Sequence, residues 1–513
     1  MSILKDWKKN LDVRFLLVLL LILILLGRFL YLDYGLPYIQ QADEVELVEY
    51  PLNYAVNIKK IFHGDYEFFK PFSFVYGTFP AYLNTLLLVP FLKFTSFFEL
   101  SQDRYFIYLY LRVIYALFSI FSCLGVYFVA KELTKDRFIP LLASLLVSLN
   151  YTFLWLSKYL NNDSLIVLFT IWFVYFYLKF SKSLENKFLY LSIFFIALGI
   201  STKITFIIVL LYPVIDLVLK KKFKEIIFSS LLILFVYLVT NPFTFIFPQE
   251  FFNRVLEMRI KENGIVVDSF NTSPFKYLNS VYLNLGLLIT IFGFYKIYLD
   301  FVNKKIDVTT ITAIVFILFF SISQRLVDRW VVPIYFILII NSLLIIYELK
   351  GKLLQKLILL TLFLVFANKF IGVNLELSEN APMRNSYLFF KDKYFLPEKR
   401  IYIVTEKGLN PYFDLGKKGM GYFQAPVVLY ESEGAFKSFP DNPKNYDFII
   451  FSTKVRDYYL NPYIQKINPQ YSNKWETFYL ELTNSNNFEI VGFFGSNNPS
   501  LINKENILIF RKK

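Results

Sequence analysis

Runs of about 20 apolar residues follow one another through the first three quarters of this chain, and nothing else in it narrows the fold so far. An α-helix rises about 1.5 Å per residue, so each run makes a rod of roughly 30 Å, the thickness of a bilayer's hydrocarbon core. Inside lipid each backbone N–H and C=O must find a partner within the protein, which favours helices for segments of this length. The sequence therefore predicts a polytopic α-helical membrane protein. Its 56% hydrophobic and 18% charged residues agree, since soluble domains carry roughly 45–50% and about 25%.

The net charge of +14 does not point to nucleic acid, because Lys and Arg sit in short clusters between the apolar runs. Lys131 to Arg137, Lys179 to Lys187, Lys220 to Lys224, Lys296 to Lys305 and Lys350 to Lys356 each hold three or four of them, and the alternate turns hold fewer. Basic loops stay in the cytoplasm, which places this set and the N-terminus inside. Expected spans run over 14–32, 105–130, 138–157, 164–181, 188–202, 204–219, 226–247, 276–298, 309–323, 330–348 and 354–372. The run Phe15 to Leu32 is longer than a signal-peptide core and lacks a small-residue cleavage site, so it reads as a retained helix. Tyr76 to Phe98 is apolar but holds Pro80 and Pro90, and a full crossing there would turn every later basic loop outward. It reads as an interfacial or re-entrant piece, giving about eleven spans, with twelve or thirteen as the alternative counts.

Eleven spans put residues 375–513 outside the cytoplasm, after a membrane module of residues 1–374 with long outer loops at 33–104 and 248–275. The tail is polar and carries strand-like runs at Ile401 to Val404, Asp447 to Ser452, Phe488 to Phe494 and Ile507 to Phe510, which predicts a small α/β domain. Cys123 and His63 are the only residues of their kinds. A disulfide framework and a thiolate zinc site are excluded, and a multi-histidine metal site or a Ser-His-Asp relay is improbable.

The outer loops gather the chemistry. Asp43-Glu44 follow the first span, with Glu46 and Glu49 close by; they read either as a solvated acidic loop or as a carboxylate general base, which needs only to reach the hydroxyl it deprotonates. Lys158 to Asp163 make a polar turn in which Asp163 either caps the next helix or belongs to a site. Lys203 interrupts a long apolar stretch and either snorkels at a helix end or meets an anionic headgroup. Arg325 and Arg329 lie at an outer helix end, with Asp328 between them as a possible neutralising partner. Arg forks suit phosphate oxygens. Arg112, Arg254, Arg259 and Lys261 add outer positive charge. No D-x-D occurs in either outer loop, so no metal is expected to be required, and a divalent ion stays open.

In order and placement these features resemble membrane glycosyltransferases of the GT-C fold, nearest to the dolichyl-phosphate-mannose protein mannosyltransferases and their bacterial aminoarabinose-transferring, lipid-A-modifying relatives. The resemblance covers about residues 10–350. It rests on Asp43-Glu44, Pro80, Arg112, Lys131-Glu132-Leu133, Asn162-Asp163, Ser201-Thr202-Lys203, Asn241-Pro242-Phe243 and Arg329-Trp330-Val331-Val332-Pro333. It implies a polyprenyl-phosphate sugar donor, an outer-face site, inversion at the anomeric carbon, and Asp43 as base beside Glu44. Lys203, Arg329 and Arg259 become candidate phosphate contacts, and Arg112 and Asp163 supporting residues. The acceptor would be a protein, lipid or glycan hydroxyl, the other partners membrane lipids, and the setting a bacterial or archaeal plasma membrane. The rival reading is a transporter or flippase of a lipid-linked or anionic solute; such proteins commonly bind substrate near the midplane between repeated halves, and no repeat is visible here.

Overall fold

The computed structural model describes the chain apart from residues 1–14, 16–17, 37–41, 72–76, 91–103, 264–272, 274, 323–326, 380, 397, 407–419, 426–435, 438, 441, 468 and 496–505. Each of the eleven apolar runs contains helix. Along the chain come α1 (Val18–Phe29), α2 (Ala42–Val56), α3 (Phe79–Leu88), α4 (Arg104–Leu133), α5 (Ile139–Leu149), α6 (Tyr151–Leu156), α7 (Asn162–Ser183) and α8 (Asn186–Thr202). After a 3-10 segment at Ile204–Leu210 follow α9 (Leu211–Leu219), α10 (Phe223–Thr240), α11 (Pro242–Ile246), α12 (Pro248–Asn263), α13 (Lys276–Leu285), α14 (Leu287–Val302) and α15 (Val308–Ile322). A second 3-10 segment, Asp328–Ile334, leads into α16 (Tyr335–Glu348), then α17 (Lys352–Glu379).

Among the described residues, five helical stretches are long and apolar enough to cross a membrane unaided: Arg104–Leu133, Asn162–Ser183, Phe223–Thr240, Asp328–Glu348 and the run from Lys352. Others are broken for local reasons. Asn150 ends α5 in an extended conformation and caps α6, its side chain accepting from Phe153 N at 3.0 Å. Gly286 sits at φ +83°, a left-handed conformation that suits a residue without Cβ, and separates α13 from α14. α10 stops at Asn241, because Pro242 disfavours helical backbone before it. α10 is the most exposed of the spans, with Ile227, Leu231, Leu234, Phe235 and Leu238 outward, the surface a lipid-facing helix presents. α7 and α16 instead lie deep in one apolar core.

The apolar segment after Tyr76 is seen in part. α3 has ten residues, a rod of about 15 Å and so half a hydrocarbon core. It is moored to the bundle through its entry. Gly77 N donates to Thr202 O at 3.0 Å. Thr78 N donates to Asn241 Oδ1 at 2.7 Å, and the Thr78 hydroxyl donates to the Thr240 carbonyl. A Cβ on Gly77 would stand 1.7 Å from the Ser201 carbonyl oxygen. Gly77→Ala is therefore expected to lift this segment off α8 and destabilise the protein by about 1–3 kcal/mol or more. A melting temperature equal to wild type would contradict that.

The C-terminal domain is a five-stranded sheet with β1 (Ile401–Glu406), β2 (Gly421–Ala425), β3 (Phe448–Ser452), β4 (Phe488–Phe494) and β5 (Ile507–Lys512) in the order β2-β1-β3-β5-β4. β1 pairs in parallel with β2 and β3, while β5 runs antiparallel to β3 and β4. Alternate residues point to opposite faces. Ile401, Ile403, Phe448, Ile450, Ile507 and Ile509 pack on α18 (Pro382–Lys393). Tyr402, Val404, Ile449, Phe451 and Phe510 pack on α19 (Thr453–Tyr459) and α21 (Pro469–Thr483), which flank α20 (Pro462–Ile467). All four expected strands are present. β2 is an addition: it is short and begins at Gly421, where a Cβ would meet the Tyr402 ring at 2.3 Å. The last helix of the membrane module, α17, ends at Glu379.

Candidate active site

Two ionic arrangements meet at the start of α2. In the first, Glu44 is wholly buried against the equally buried Arg112 of α4. Arg112 Nε and Nη2 bond the two carboxylate oxygens at 2.8 and 2.6 Å. Arg112 Nη1 donates to the carbonyls of Leu32 and Tyr34, each at 2.7 Å. Leu160 N completes the set, donating to Glu44 Oε1 at 2.9 Å. A buried bidentate pair of this kind survives because its remaining hydrogen-bonding capacity is used. It ties α2, the end of the first span, α4 and the turn before α7 into one unit. As it stands, Glu44 offers no open carboxylate face, so the two neighbouring acids are separated: Asp43 is partly open and Glu44 is closed.

The second arrangement is an alternating chain of acids and cations. Arg329 Nη2 donates to Asp43 Oδ2 at 2.8 Å, and Arg329 Nε stands 2.7 Å from Asp163 Oδ2. The other Asp163 oxygen accepts from the Lys203 ammonium. Four residues far apart in sequence thus form the line Asp43–Arg329–Asp163–Lys203. Side-chain exposure falls from 28% at Asp43 and Arg329, through 14% at Lys203, to 5% at Asp163. The line has an open end carrying a carboxylate and a guanidinium, and a buried carboxylate that orients both cations.

Local structure explains each placement. Asp43 stands in the first turn of α2, where a helix N-terminus favours negative charge. The cap of α7 is Asn161, whose Oδ1 accepts from Ser164 N at 2.7 Å. That frees Asp163, one turn position inside the helix, for the two cations. Lys203 ends α8 in an extended conformation, so its side chain leaves the helix toward Asp163. Asp328 accepts from the Ser280 hydroxyl at 2.6 Å, while Arg329 has Asp43 and Asp163 as its anions. Arg325 lies outside the described residues. Arg259 belongs to α12, and its side chain also lies outside them. The four-residue line and the Glu44–Arg112 pair bring together six of the seven residues to which the resemblance gave a role, all but Arg259. Among the described residues no three His, Cys, Asp or Glu side chains converge as a metal site would require.

Two contributors escaped sequence reading. Gly77, together with Asn241, locks the α3 entry to the backbone beside Lys203. Arg28 is fully buried near the turn that carries Asp163, bonding the Ser148 carbonyl at 3.2 Å. An Arg at the end of an apolar run looks like an ordinary interface residue, and only its tertiary partners show otherwise.

The architecture is that of the GT-C membrane glycosyltransferases. Solved structures share it over nearly the whole chain. ArnT from Cupriavidus metallidurans bound to undecaprenyl phosphate aligns with a TM-score of 0.53 at 14% identity, covering 96% of this chain and 97% of that one. Its apo state gives 0.54 at 14% identity, covering 97% and 98%. The archaeal oligosaccharyltransferase AglB from Archaeoglobus fulgidus, in complex with an inhibitory peptide and a dolichol-phosphate, gives 0.52 at 11% identity, covering 87% and 70%. By sequence, residues 95–245 match the family described as dolichyl-phosphate-mannose-protein mannosyltransferase. That stretch holds Arg112, Asp163, Lys203 and Asn241, and stops short of Asp43 and Arg329 on either side. No curated protein matches the chain by sequence.

Proposed function

We propose that this protein transfers a sugar from a polyprenyl-phosphate donor to an acceptor hydroxyl at the outer face of the membrane, with inversion and with Asp43 as general base. The observation that carries the reading is the line Asp43–Arg329–Asp163–Lys203, in which a partly open carboxylate is joined to two cations. Relatives of the same fold have been solved with undecaprenyl phosphate and with a dolichol-phosphate, which supports a lipid-phosphate ligand here.

In this mechanism the donor phosphate meets Arg329 and Lys203. As Arg329 turns to the phosphate its hold on Asp43 weakens, and the freed carboxylate is a better base. Asp43 takes the proton of the acceptor hydroxyl. The acceptor oxygen forms the new bond to the anomeric carbon while the bond from that carbon to the phosphate oxygen breaks. The electron pair leaves on the phosphate, where the two cations stabilise it. Asp163 keeps the cations in place throughout. Glu44 and Arg112 position α2 and touch no substrate. No divalent metal is required in this mechanism, since Asp43 and Asp163 already have cationic partners. Protein, lipid and glycan hydroxyls all fit this chemistry as acceptors.

The test is native mass spectrometry of protein purified in mild detergent from its host's membranes, wild type beside Lys203→Ala/Arg329→Ala. Wild type should carry a polyprenyl phosphate or its sugar ester, and the double variant should not. Retention of the lipid by a folded double variant would remove these two residues from the donor site. A different bound anionic solute would favour a transporter.

The orientation follows from the same reading: N-terminus in the cytoplasm and C-terminal domain outside. The only native cysteine, Cys123, is buried. A cysteine placed at the exposed Glu398 (Glu398→Cys) should therefore react with a membrane-impermeant maleimide in intact cells. Labelling only after lysis would invert the topology.

A further inference from the structure

The most unusual buried group outside the ionic site is Lys158. It lies in the turn between α6 and α7, is 1% exposed, and makes no salt bridge among the described residues. Its ammonium instead donates to three backbone carbonyls at the end of α1: Gly27 at 2.9 Å, Arg28 at 3.2 Å and Leu30 at 2.6 Å. The last carbonyls of a helix lack intrahelical partners and carry partial negative charge, so a cation suits them. Arg28 anchors the same helix end through the Ser148 carbonyl at 3.2 Å, the Cys123 sulfur at 3.4 Å and the Phe153 ring face at 5.4 Å.

The turn held in this way is the one that organises the site. Two residues after Lys158, Leu160 N donates to Glu44, beside Asp43. Asn161 braces the turn with Nδ2 on the Leu156 and Tyr159 carbonyls, each at 2.9 Å. Asp163, the anion shared by Lys203 and Arg329, comes next. Displacing the turn would therefore shift Asp163 and, through Glu44, the base Asp43 relative to the two cations, which stand on their own elements.

We infer that Lys158 is a positioning residue for the transfer reaction: by clamping the end of α1 to the 157–161 turn, it fixes where Asp163 and, through Glu44, Asp43 stand. The inference rests on the function proposed above. A helix end and a catalytic turn from different parts of the sequence are joined by one side chain, and its three bonds set their spacing. Misplacements of about 1 Å at a reacting centre can cost on the order of 100-fold in rate.

The test compares wild type with Lys158→Met, which has similar length and no donor. Both are reconstituted in liposomes with lipid-linked sugars extracted from the host membrane and an acceptor fraction, and polyprenyl phosphate release is followed as donor is varied. For Lys158→Met, kcat per folded molecule should fall about 10-fold or more, with donor KM little changed because the cations keep their own helices. A lower melting temperature with wild-type kcat well below the melt would show a purely structural role and overturn the inference. Should Lys158→Met not fold, Lys158→Gln, shorter and without the charge, takes its place; kcat should still fall, and a wild-type kcat would overturn the inference. Release that is absent from wild type itself would instead overturn the glycosyltransferase reading on which it rests.

Discussion

Replacing Asp43 with Asn should lower sugar transfer by about 10²–10⁴-fold, the usual worth of a general base, while the protein still folds. Asp43 is 28% exposed, so the substitution empties no core position. The amide keeps an oxygen that can accept from Arg329 Nη2, now 2.8 Å from the carboxylate, so the geometry of the line is largely kept. What is lost is the capacity to take a proton. Donor binding should persist, since Lys203 and Arg329 remain. A folded Asp43→Asn variant that turns over like wild type would remove Asp43 from the chemistry. One that loses the donor lipid as well would show that Asp43 acts on Arg329 and has no role as a base.

The second large effect concerns stability. Arg112→Met leaves Glu44 buried without its countercharge, and the carbonyls of Leu32 and Tyr34 without the guanidinium. Breaking a buried pair from one side costs about 3–5 kcal/mol, because the stranded charge keeps its desolvation penalty. Glu44→Gln should cost comparably, as it strands Arg112. The double variant Glu44→Gln/Arg112→Met should be more stable than the sum of the two single losses, because no stranded charge remains. Thermal melts of the four proteins give this coupling directly. Strict additivity would mean that the two side chains do not act as a pair. Both single variants should also transfer poorly at temperatures where they are folded, since α2 and the turn before α7 lose their common anchor.

Much of this was legible in the sequence because membrane physics leaves few choices. The apolar runs located the helices, and the change of composition after residue 375 located the C-terminal sheet domain. Asp43, Asp163, Lys203 and Arg329 stood out because charges at the ends of apolar runs are costly unless they have a partner or water. Their pairing was not legible. Asp43 and Arg329 are 286 residues apart, and only the packing of α2 beside the 3-10 turn at Asp328–Ile334 brings them together. The adjacent Asp328 was the natural partner by sequence, yet it faces Ser280. Asp43-Glu44 likewise reads as one acidic pair, whereas neighbouring positions at the start of a helix point about 100° apart, one toward the open line and the other into the core. Helix interruptions were not legible either. The expected span at 226–247 ran through Pro242, where the helix breaks, and Asn150 looked like any polar residue within a span until its cap bond to Phe153 N was seen. β2 was missed because five residues with a glycine at their start gain strand character only from the parallel partner beside them.

In the proposed reaction, sugar leaves a polyprenyl phosphate at the line Asp43–Arg329–Asp163–Lys203. The most direct measurement is donor discharge in sealed proteoliposomes containing the purified protein, the host's lipid-linked sugars and an acceptor fraction, with free polyprenyl phosphate quantified by mass spectrometry. Polyprenyl phosphate should accumulate with wild type, the sugar should appear on an acceptor, and both signals should vanish with Asp43→Asn. Movement of intact lipid-linked sugar between leaflets, with no release of polyprenyl phosphate, would contradict this reaction and make the protein a transporter.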